Sequence, residues 1–494
     1  MLFNSLEFLL FLPTVFAAYW ILNRWTDRPR GLQAQNFLLL VSSYVFYGWW
    51  DWRFLSLIAF STLVDYAVGI QIAKANAREI PADADESARS RTAKRWLWVS
   101  LAVNLGLLGY FKYANFFIES WVKAWESLGV SMHVSTLHIV LPVGISFYTF
   151  QTLSYSIDIY RRKLNPTRNL IDFAAFVSFF PQLVAGPIER ASALLPQIQR
   201  RRQFDAEVAS SGLRLILWGL FKKVVIADTC AIFVNDVFDH HHEYSGPTLI
   251  LGAVYFAFQI YGDFSGYSDI AIGTARLFGI TLMTNFRTPY FARDIAEFWR
   301  RWHISLSTWF RDYLYIPLGG SRVGKWKAVR NTFVIFLVSG FWHGANWTFV
   351  VWGLIHALLF LPLLLMNRNL RNTGEIADGR WLPSLRELGG MAWTFSIVTL
   401  AWVFFRAENL NHALEFITHF GNRPGSLDKL SKTGAFWVTL MLCLEWGARV
   451  PTAWNRWRSS SVPMTAARWL IYALGVWLVM KNIQSQAEFI YFQF

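Results

Sequence analysis

The chain has 494 residues, of which 54% are hydrophobic, 18% aromatic and only 16% charged, against about 25% charged in an average soluble protein. A mean hydropathy of +0.31 over that length exceeds what one globular core can hide, and the apolar excess excludes a disordered chain. The net charge of +14 would suit a nucleic-acid binder, but the basic residues sit in short clusters between apolar blocks, the habit of a polytopic membrane protein.

Candidate spans are apolar runs near the ~20 residues that cross a bilayer. They fall at 1–22, 36–50, 53–72, 96–118, 137–159, 212–229 and 248–264, the last continuing toward 278. Beyond a more polar middle come 332–341, 347–366, 391–405, 434–446 and 469–480. The first run carries Glu7 as its only charge and meets its first Arg at Arg24, after the apolar stretch. That lacks the basic start of a signal peptide and reads as a retained span. The run 170–185 ends near Pro187 between basic clusters, the pattern of a segment that dips in and returns on one side. Residues 81–95 read as a solvated linker, and Cys230 and Cys443 as buried thiols. No fixed-period repeat is visible, which counts against a solenoid or an inverted-repeat transporter.

Orientation follows from Lys and Arg. With the N-terminus outside, the segments 23–35, 73–95, 160–169, 187–210, 285–330, 367–389 and 448–468 lie inside and hold 34 of the 46 basic residues. The outside loops near 119–136 and 230–247 hold Lys123 alone among basic residues. The weak place is 406–432, where Arg406, Arg423, Lys429 and Lys432 stand outside beside Glu408, Glu415 and Asp428. Both termini are expected outside.

The chemistry is expected in 285–346. In Arg293 to Ser307 the residues Phe291, Ile295, Phe298, Trp302 and Leu306 can share one helical face, with Glu297, Arg300 and Arg301 turned away from it. One reading is an amphipathic helix on the membrane surface. The other is a helix in the cytoplasmic mouth of a cavity, its arginines meeting an anionic ligand. The following Pro317-Leu-Gly-Gly-Ser-Arg322 is a turn-rich basic loop able to face phosphates, a weak signal alone. His343 lies between Gly340 and Gly344 in an apolar hairpin, an expensive place for an imidazole unless it is paired or lines water. The glycines would loosen the helix and admit a substrate, and the imidazole suits proton abstraction from a hydroxyl. The alternative is a structural His at a helix break.

Asp263 and Asp269 put two carboxylates into an apolar run, and the reading leans toward helix caps over cavity lining. His240, His241 and His242 resemble a metal tract, but an outside loop without a Cys partner favours incidental binding. No H-E-x-x-H, G-x-S-x-G or Walker-type loop is present, so zinc hydrolase, serine hydrolase and P-loop ATPase readings lack support.

The ordered strings Pro142 to Gln151, Phe180 to Ile188, Tyr261 to Asp269, Glu297 to Ser307, Tyr313 to Gly320 and Ser339 to Trp347 resemble the membrane-bound O-acyltransferase family, and within it the bacterial alginate O-acetyltransferase group. The opening Leu2 to Ser5 and the closing Phe489 to Phe494 also resemble that group. The resemblance implies one all-α polytopic domain over 1–494, its motifs in a core of 137–366, with peripheral helices at 1–136 and 367–494. It implies a ring of about 11–13 tilted transmembrane and re-entrant helices around a thin core, with funnels from both faces. It implies acyl transfer across the bacterial cytoplasmic membrane, with His343 at the catalytic histidine and His303 at the second characteristic polar position.

On that basis no bound cofactor or metal is expected. Acetyl-CoA would dock with Arg300, Arg301, Arg311 or Arg322 near its phosphates, and Asp269 and Asn346 would join the substrate site. The acceptor is a polysaccharide, reached directly or through a periplasmic acetyltransferase partner; lipid surrounds the chain and nucleic acid plays no part. His303 would polarise the carbonyl or hold the donor. Three rival readings stand: D-alanyl transfer to teichoic acid, a transporter or polysaccharide-export component without chemistry, and a lipid or protein acyltransferase with longer chains.

Overall fold

The computed structural model describes residues 1–25, 29–81, 89–131, 134, 136–137, 139–322, 324–449, 462–483 and 489–490. Among the described residues there are helices, turns and coil but no strand. They form two compact units, one of Met1–Ile216 with Ala271–Met283, the other of Leu217–Ile270 with Thr284–Phe494.

The first unit begins with α1 (Leu6–Leu22), α2 (Pro29–Asp51), α3 (Leu55–Glu79) and α4 (Arg91–Leu108). A π-helical turn, Gly109–Tyr113, leads into α5 (Ala114–Glu126). The span expected at 137–159 shortens to α6 (Ile145–Tyr160), because Pro142 breaks the run and Gly144 turns it with φ 76°. Next come α7 (Leu170–Ser178), α8 (Phe180–Leu183) and α9 (Ala191–Gln199). The break at Phe179, followed by Pro181 in the first turn of α8, interrupts the run read as re-entrant.

Buried polar side chains staple these apolar helices. Asp65 of α3 accepts from Ser100 and Asn104 of α4 at 2.5 and 2.8 Å, and from Ser156 of α6 at 3.2 Å. Asn36 of α2 donates to Asp172 of α7 at 2.8 Å and accepts from Arg202 at 2.6 Å. A buried donor or acceptor left unpaired costs about 1–3 kcal/mol, so each of these partners is required by the others. The buried Glu189, between α8 and α9, accepts the backbone N–H of Met283 at 2.5 Å.

The chain passes between units within α10 (Ala206–Leu220) and within α12 (Gly246–Leu277). Between them a π-helical turn, Phe221–Ala227, runs into α11 (Asp228–Asp239). In the second unit, a Cβ on Gly219 would stand 2.5 Å from the Gly266 carbonyl oxygen, and one on Gly266 2.7 Å from that of Gly219. Small residues there bring the two backbones together.

The second unit continues with α13 (Ile295–Arg301), α14 (Ile304–Phe310), α15 (Lys325–His343) and α16 (Trp347–Leu365). It closes with α17 (Leu385–Arg406), α18 (Leu410–Asn422), α19 (Lys432–Ala448) and α20 (Val462–Asn482). Its core is aromatic: Trp302, Trp352, Trp402 and Phe405 are fully buried, and the Trp302–Trp402 and Trp352–Trp402 ring centroids lie 5.0 and 5.5 Å apart.

By length and composition, five described helical stretches can cross a membrane: Arg30–Glu79, Arg91–Glu126, Trp347–Leu365, Leu385–Arg406 and Val462–Asn482. Cys230 is buried as expected, whereas Cys443 is exposed on α19. The loops 230–247 and 406–432, both read as outside, do meet. Lys429 pairs with Asp236 at 2.6 Å, and Gly246 donates to the Arg423 carbonyl at 2.8 Å. Of the four basic residues in 406–432, Lys429 and Arg406 thus have acidic partners, Arg406 with Asp239 at 3.4 Å.

Candidate active site

The expected amphipathic helix over 293–307 is two short helices. The chain leaves α13 at Trp302, and His303 takes a left-handed backbone, φ 43° and ψ 54°, before α14 begins. A non-glycine residue there costs of order 1–3 kcal/mol and must be held by its surroundings. The hold comes from the strand-like stretch beside it: Arg287 N–H donates to the Arg301 carbonyl at 2.9 Å, and Ile304 N–H to the Asn285 carbonyl at 2.9 Å.

Asn285 also fixes the imidazole. Its Oδ1 accepts from the Ser305 hydroxyl at 2.9 Å and lies 3.1 Å from His303 Nδ1, while its amide nitrogen donates to Ser268 Oγ at 3.1 Å. With the amide oriented this way, Nδ1 carries the proton and Nε2 the lone pair. His303 Nε2 is buried and has no hydrogen-bond partner. His303 stands outside the five candidate spans, and burial pushes its pKa down to about 3, so the ring is neutral.

His343 is the last residue of α15 and is 3% exposed. Its ring centroid lies 6.3 Å from that of His303, 5.2 Å from Trp352 and 5.3 Å from Phe405. The flanking glycines do not open a path to it. A Cβ on Gly340 would meet the Phe349 carbonyl oxygen at 2.2 Å, one on Gly344 the Phe349 ring at 2.1 Å, and one on Gly353 the Phe336 carbonyl oxygen at 2.3 Å. They let α15 and α16 touch backbone to backbone, which fixes His343 in place.

A cavity of about 210 Å³ lies one helical turn from each histidine, reached by Ser307 of α14 and Ser339 of α15. Trp299, Phe310, Phe336 and Phe360 make it largely apolar, and Arg311 stands at its wall. Ligand pockets usually run about 300–1,000 Å³, so this one suits a small acyl group and part of its carrier rather than a nucleotide.

A third buried histidine, His356 of α16, was passed over in the sequence. It is 0% exposed, neither ring nitrogen has a hydrogen-bond partner, and it sits 4.7 Å from Trp352 and 5.0 Å from the cavity-lining Trp299. A lone His in an apolar span was the available signal.

The other expected site residues are placed differently. Glu297, read as facing away from the apolar side, is buried and holds Arg293 at 3.0 Å and Arg301 at 3.1 Å. Arg300 donates to the carbonyls of Asn369 and Asn372 at 2.7 and 2.8 Å, and Arg301 also to that of Arg287. Arg300 and Arg301 therefore order the loop after α16 and the segment before α13. Arg311 pairs with Asp312 at 2.7 Å with its side chain 59% exposed, and Arg322 is exposed in the turn after Gly320. Asn346 caps α16 by accepting from Thr348 N–H at 3.0 Å and donates to the Glu408 carbonyl at 2.8 Å.

Asp263 and Asp269 are not helix caps. They stand inside α12, where Asp269 pairs with Lys222 at 2.7 Å and Asp263 with Lys223 at 2.9 Å. Lys223 also binds Asp228 at 2.8 Å, and Lys222 donates to Ser265 at 2.9 Å. Both lysines are buried.

Residues 88–381 match the pattern of the membrane-bound O-acyltransferase family. The whole chain is 39% identical to the whole of a probable alginate O-acetylase of Pseudomonas putida. It is 42% identical to a probable alginate O-acetylase of Pseudomonas aeruginosa, over 90% of this chain and 80% of that one. It is also 37% identical to a peptidoglycan O-acetyltransferase of Helicobacter pylori, over 87% of this chain and 82% of that one.

Proposed function

The chain belongs to the membrane-bound O-acyltransferase family, and from that premise we propose that it moves an acetyl group from cytoplasmic acetyl-CoA across the bacterial cytoplasmic membrane, for O-acetylation of an extracytoplasmic polysaccharide of the alginate type. It is a multi-pass membrane O-acyltransferase. The observation that carries the finer reading is the buried pair His303 and His343, each one helical turn along the chain from a serine, Ser307 or Ser339, that lines a small, mostly apolar cavity.

In this reading the acetyl thioester lies in the cavity and the acceptor hydroxyl comes to His343 from the other side. His343 takes the hydroxyl proton as the oxygen attacks the thioester carbonyl. The C–O bond forms, the C–S bond breaks, and the leaving thiolate recovers a proton from the imidazolium. The Nε2 lone pair of neutral His303 can accept a hydrogen bond but not donate one. That favours holding an N–H or O–H of the donor over polarising its carbonyl. Arg311, which lines the cavity, and the exposed Arg322 would meet the donor's phosphates. The acceptor is a sugar hydroxyl, or a nucleophile on a periplasmic acetyltransferase partner that then modifies the polymer.

The test is transfer or hydrolysis of radiolabelled acetyl-CoA by purified, detergent-solubilised protein, with the polysaccharide or the partner protein supplied. Wild type is expected to move label and His343→Ala to move none while expressing and inserting normally. Retained acetylation in a normally expressed His343→Ala variant would overturn the assignment. Label accepted from a D-alanyl carrier protein in place of acetyl-CoA would reassign the donor.

A further inference from the structure

The histidine tract at the end of α11 does not stand alone. His241 is 7% exposed, and its Nδ1 lies 3.2 Å from the Phe238 carbonyl, which makes Nδ1 the N–H donor and leaves the lone pair on Nε2. That Nε2 is buried without a hydrogen-bond partner. A backbone carbonyl fixing the tautomer of a His whose other nitrogen is vacant is the arrangement that metal-ligating histidines show.

The neighbours supply further donors. α18 presents Glu415 and His419 one turn apart, and ligand atoms of His241, His242 and His419 all lie within 4.8 Å of one another. Glu415 Oε2 stands 3.6 Å from His241 Nε2 and 3.8 Å from His242 Nε2. Donors about 2.1 Å from a tetrahedral zinc ion lie roughly 3.4 Å apart, so the Glu415 spacings exceed the ligated ones by a few tenths of an ångström, while the histidine nitrogens, within 4.8 Å of one another, close by up to about 1.4 Å around the ion. His412 stacks on His241 with centroids 4.5 Å apart. His240 is excluded from the group: its Nδ1 faces the Asp236 carbonyl at 3.1 Å, and its side chain is 54% exposed.

We propose that His241, His242 and His419, with the Glu415 carboxylate, form a binding site for one divalent transition-metal ion of the zinc class, clamping the turn after α11 to α18. Imidazole nitrogens with one carboxylate suit Zn²⁺, with Cu²⁺ and Ni²⁺ as competitors, and disfavour Mg²⁺ and Ca²⁺, which take oxygen donors. The site is separate from the acyl-transfer residues. The tract alone reads as a surface chelator; His419 and Glu415, far along the chain, turn it into a four-donor cluster.

The experiment uses full-length protein carrying a histidine-free affinity tag, stripped with chelator and titrated with ZnCl₂ by calorimetry, with metal content read after gel filtration. One zinc per chain is expected, together with a zinc-dependent rise in Tm. His241→Ala and His419→Ala are expected to weaken binding at least about tenfold, and His240→Ala to leave it unchanged. Wild-type protein that retains no zinc after gel filtration overturns the proposal. So does a His419→Ala variant that binds as tightly as wild type, since the tract alone would then account for binding. The wild-type stoichiometry decides the matter should a variant misfold.

Discussion

His303 Nδ1 and Asn285 Oδ1 lie 3.1 Å apart, and that hydrogen bond sets which nitrogen of the imidazole carries the lone pair. Asn285→Asp places a carboxylate at the same distance and favours the imidazolium by about 1–3 pKa units. In wild type, burial holds His303 at about 3, so its protonation does not limit turnover in the ordinary working range. The imidazolium has no lone pair at Nε2, so activity in the variant falls as pH drops through the raised value. The variant is expected to gain an acid limb about 1–3 units above the wild-type His303 value of about 3, in a range where wild-type kcat does not respond to this group. Superimposable acid limbs would show that His303 does not take part.

Arg311 lines the cavity and Arg322 is exposed in the neighbouring turn. Replacing either with Ala is expected to raise the KM for acetyl-CoA several-fold, with kcat little changed, because uniform binding is what is lost. A truncated thioester without the nucleotide phosphates is expected to show no difference between wild type and variants. Equal losses with both donors would place these arginines in folding rather than binding.

Burial raises Glu189 from 4.5 to about 7. Below 4.5 the group is protonated in both folded and unfolded chains and has no effect on stability. As pH rises toward 7 the unfolded chain ionises freely while the folded one resists, so stability is lost across that window, up to about 3 kcal/mol. Glu189→Gln keeps the acceptor for Met283 N–H and cannot ionise. It is expected to raise Tm at pH 8 and leave it unchanged at pH 4; a variant less stable at pH 8 refutes this.

Lys222→Met strands the Asp269 carboxylate, and breaking such a pair costs about 3 kcal/mol at the lower end of the usual range. The charge-neutral double variant Lys222→Met/Asp269→Asn is expected to recover most of that loss. Additive losses in the double variant would mean that the two groups do not stabilise each other.

The spans were legible because apolar runs state their own length, as in α2, α16 and α17. His343 was legible because a histidine between glycines in such a run is conspicuous. Other features were hidden for physical reasons. The break at His303 rests on hydrogen bonds to the backbone of Asn285 and Arg287, and a left-handed His has no local signature. Glycines beside His343 suggested open space, whereas close helix packing uses the same residue. Lys222 and Lys223 were obscured by the apolar residues around them, and their partners Asp263 and Asp269 suggested caps. The partner of the histidine tract lies on α18, which no local spacing could reveal.

The ion pairs of Lys222 and Lys223 with α12 bear on how the protein is made. A lysine entering the lipid alone costs about 2.5–3.5 kcal/mol at mid-span, and Asp269, the partner of Lys222, is synthesised only with α12. Lys223 finds Asp228 within its own α10–α11 segment, so it is Lys222 whose neutralising charge arrives one helix later. Biogenesis is expected to proceed by paired release, with the insertion machinery retaining the α10–α11 segment until α12 emerges and supplies the carboxylate that Lys222 requires.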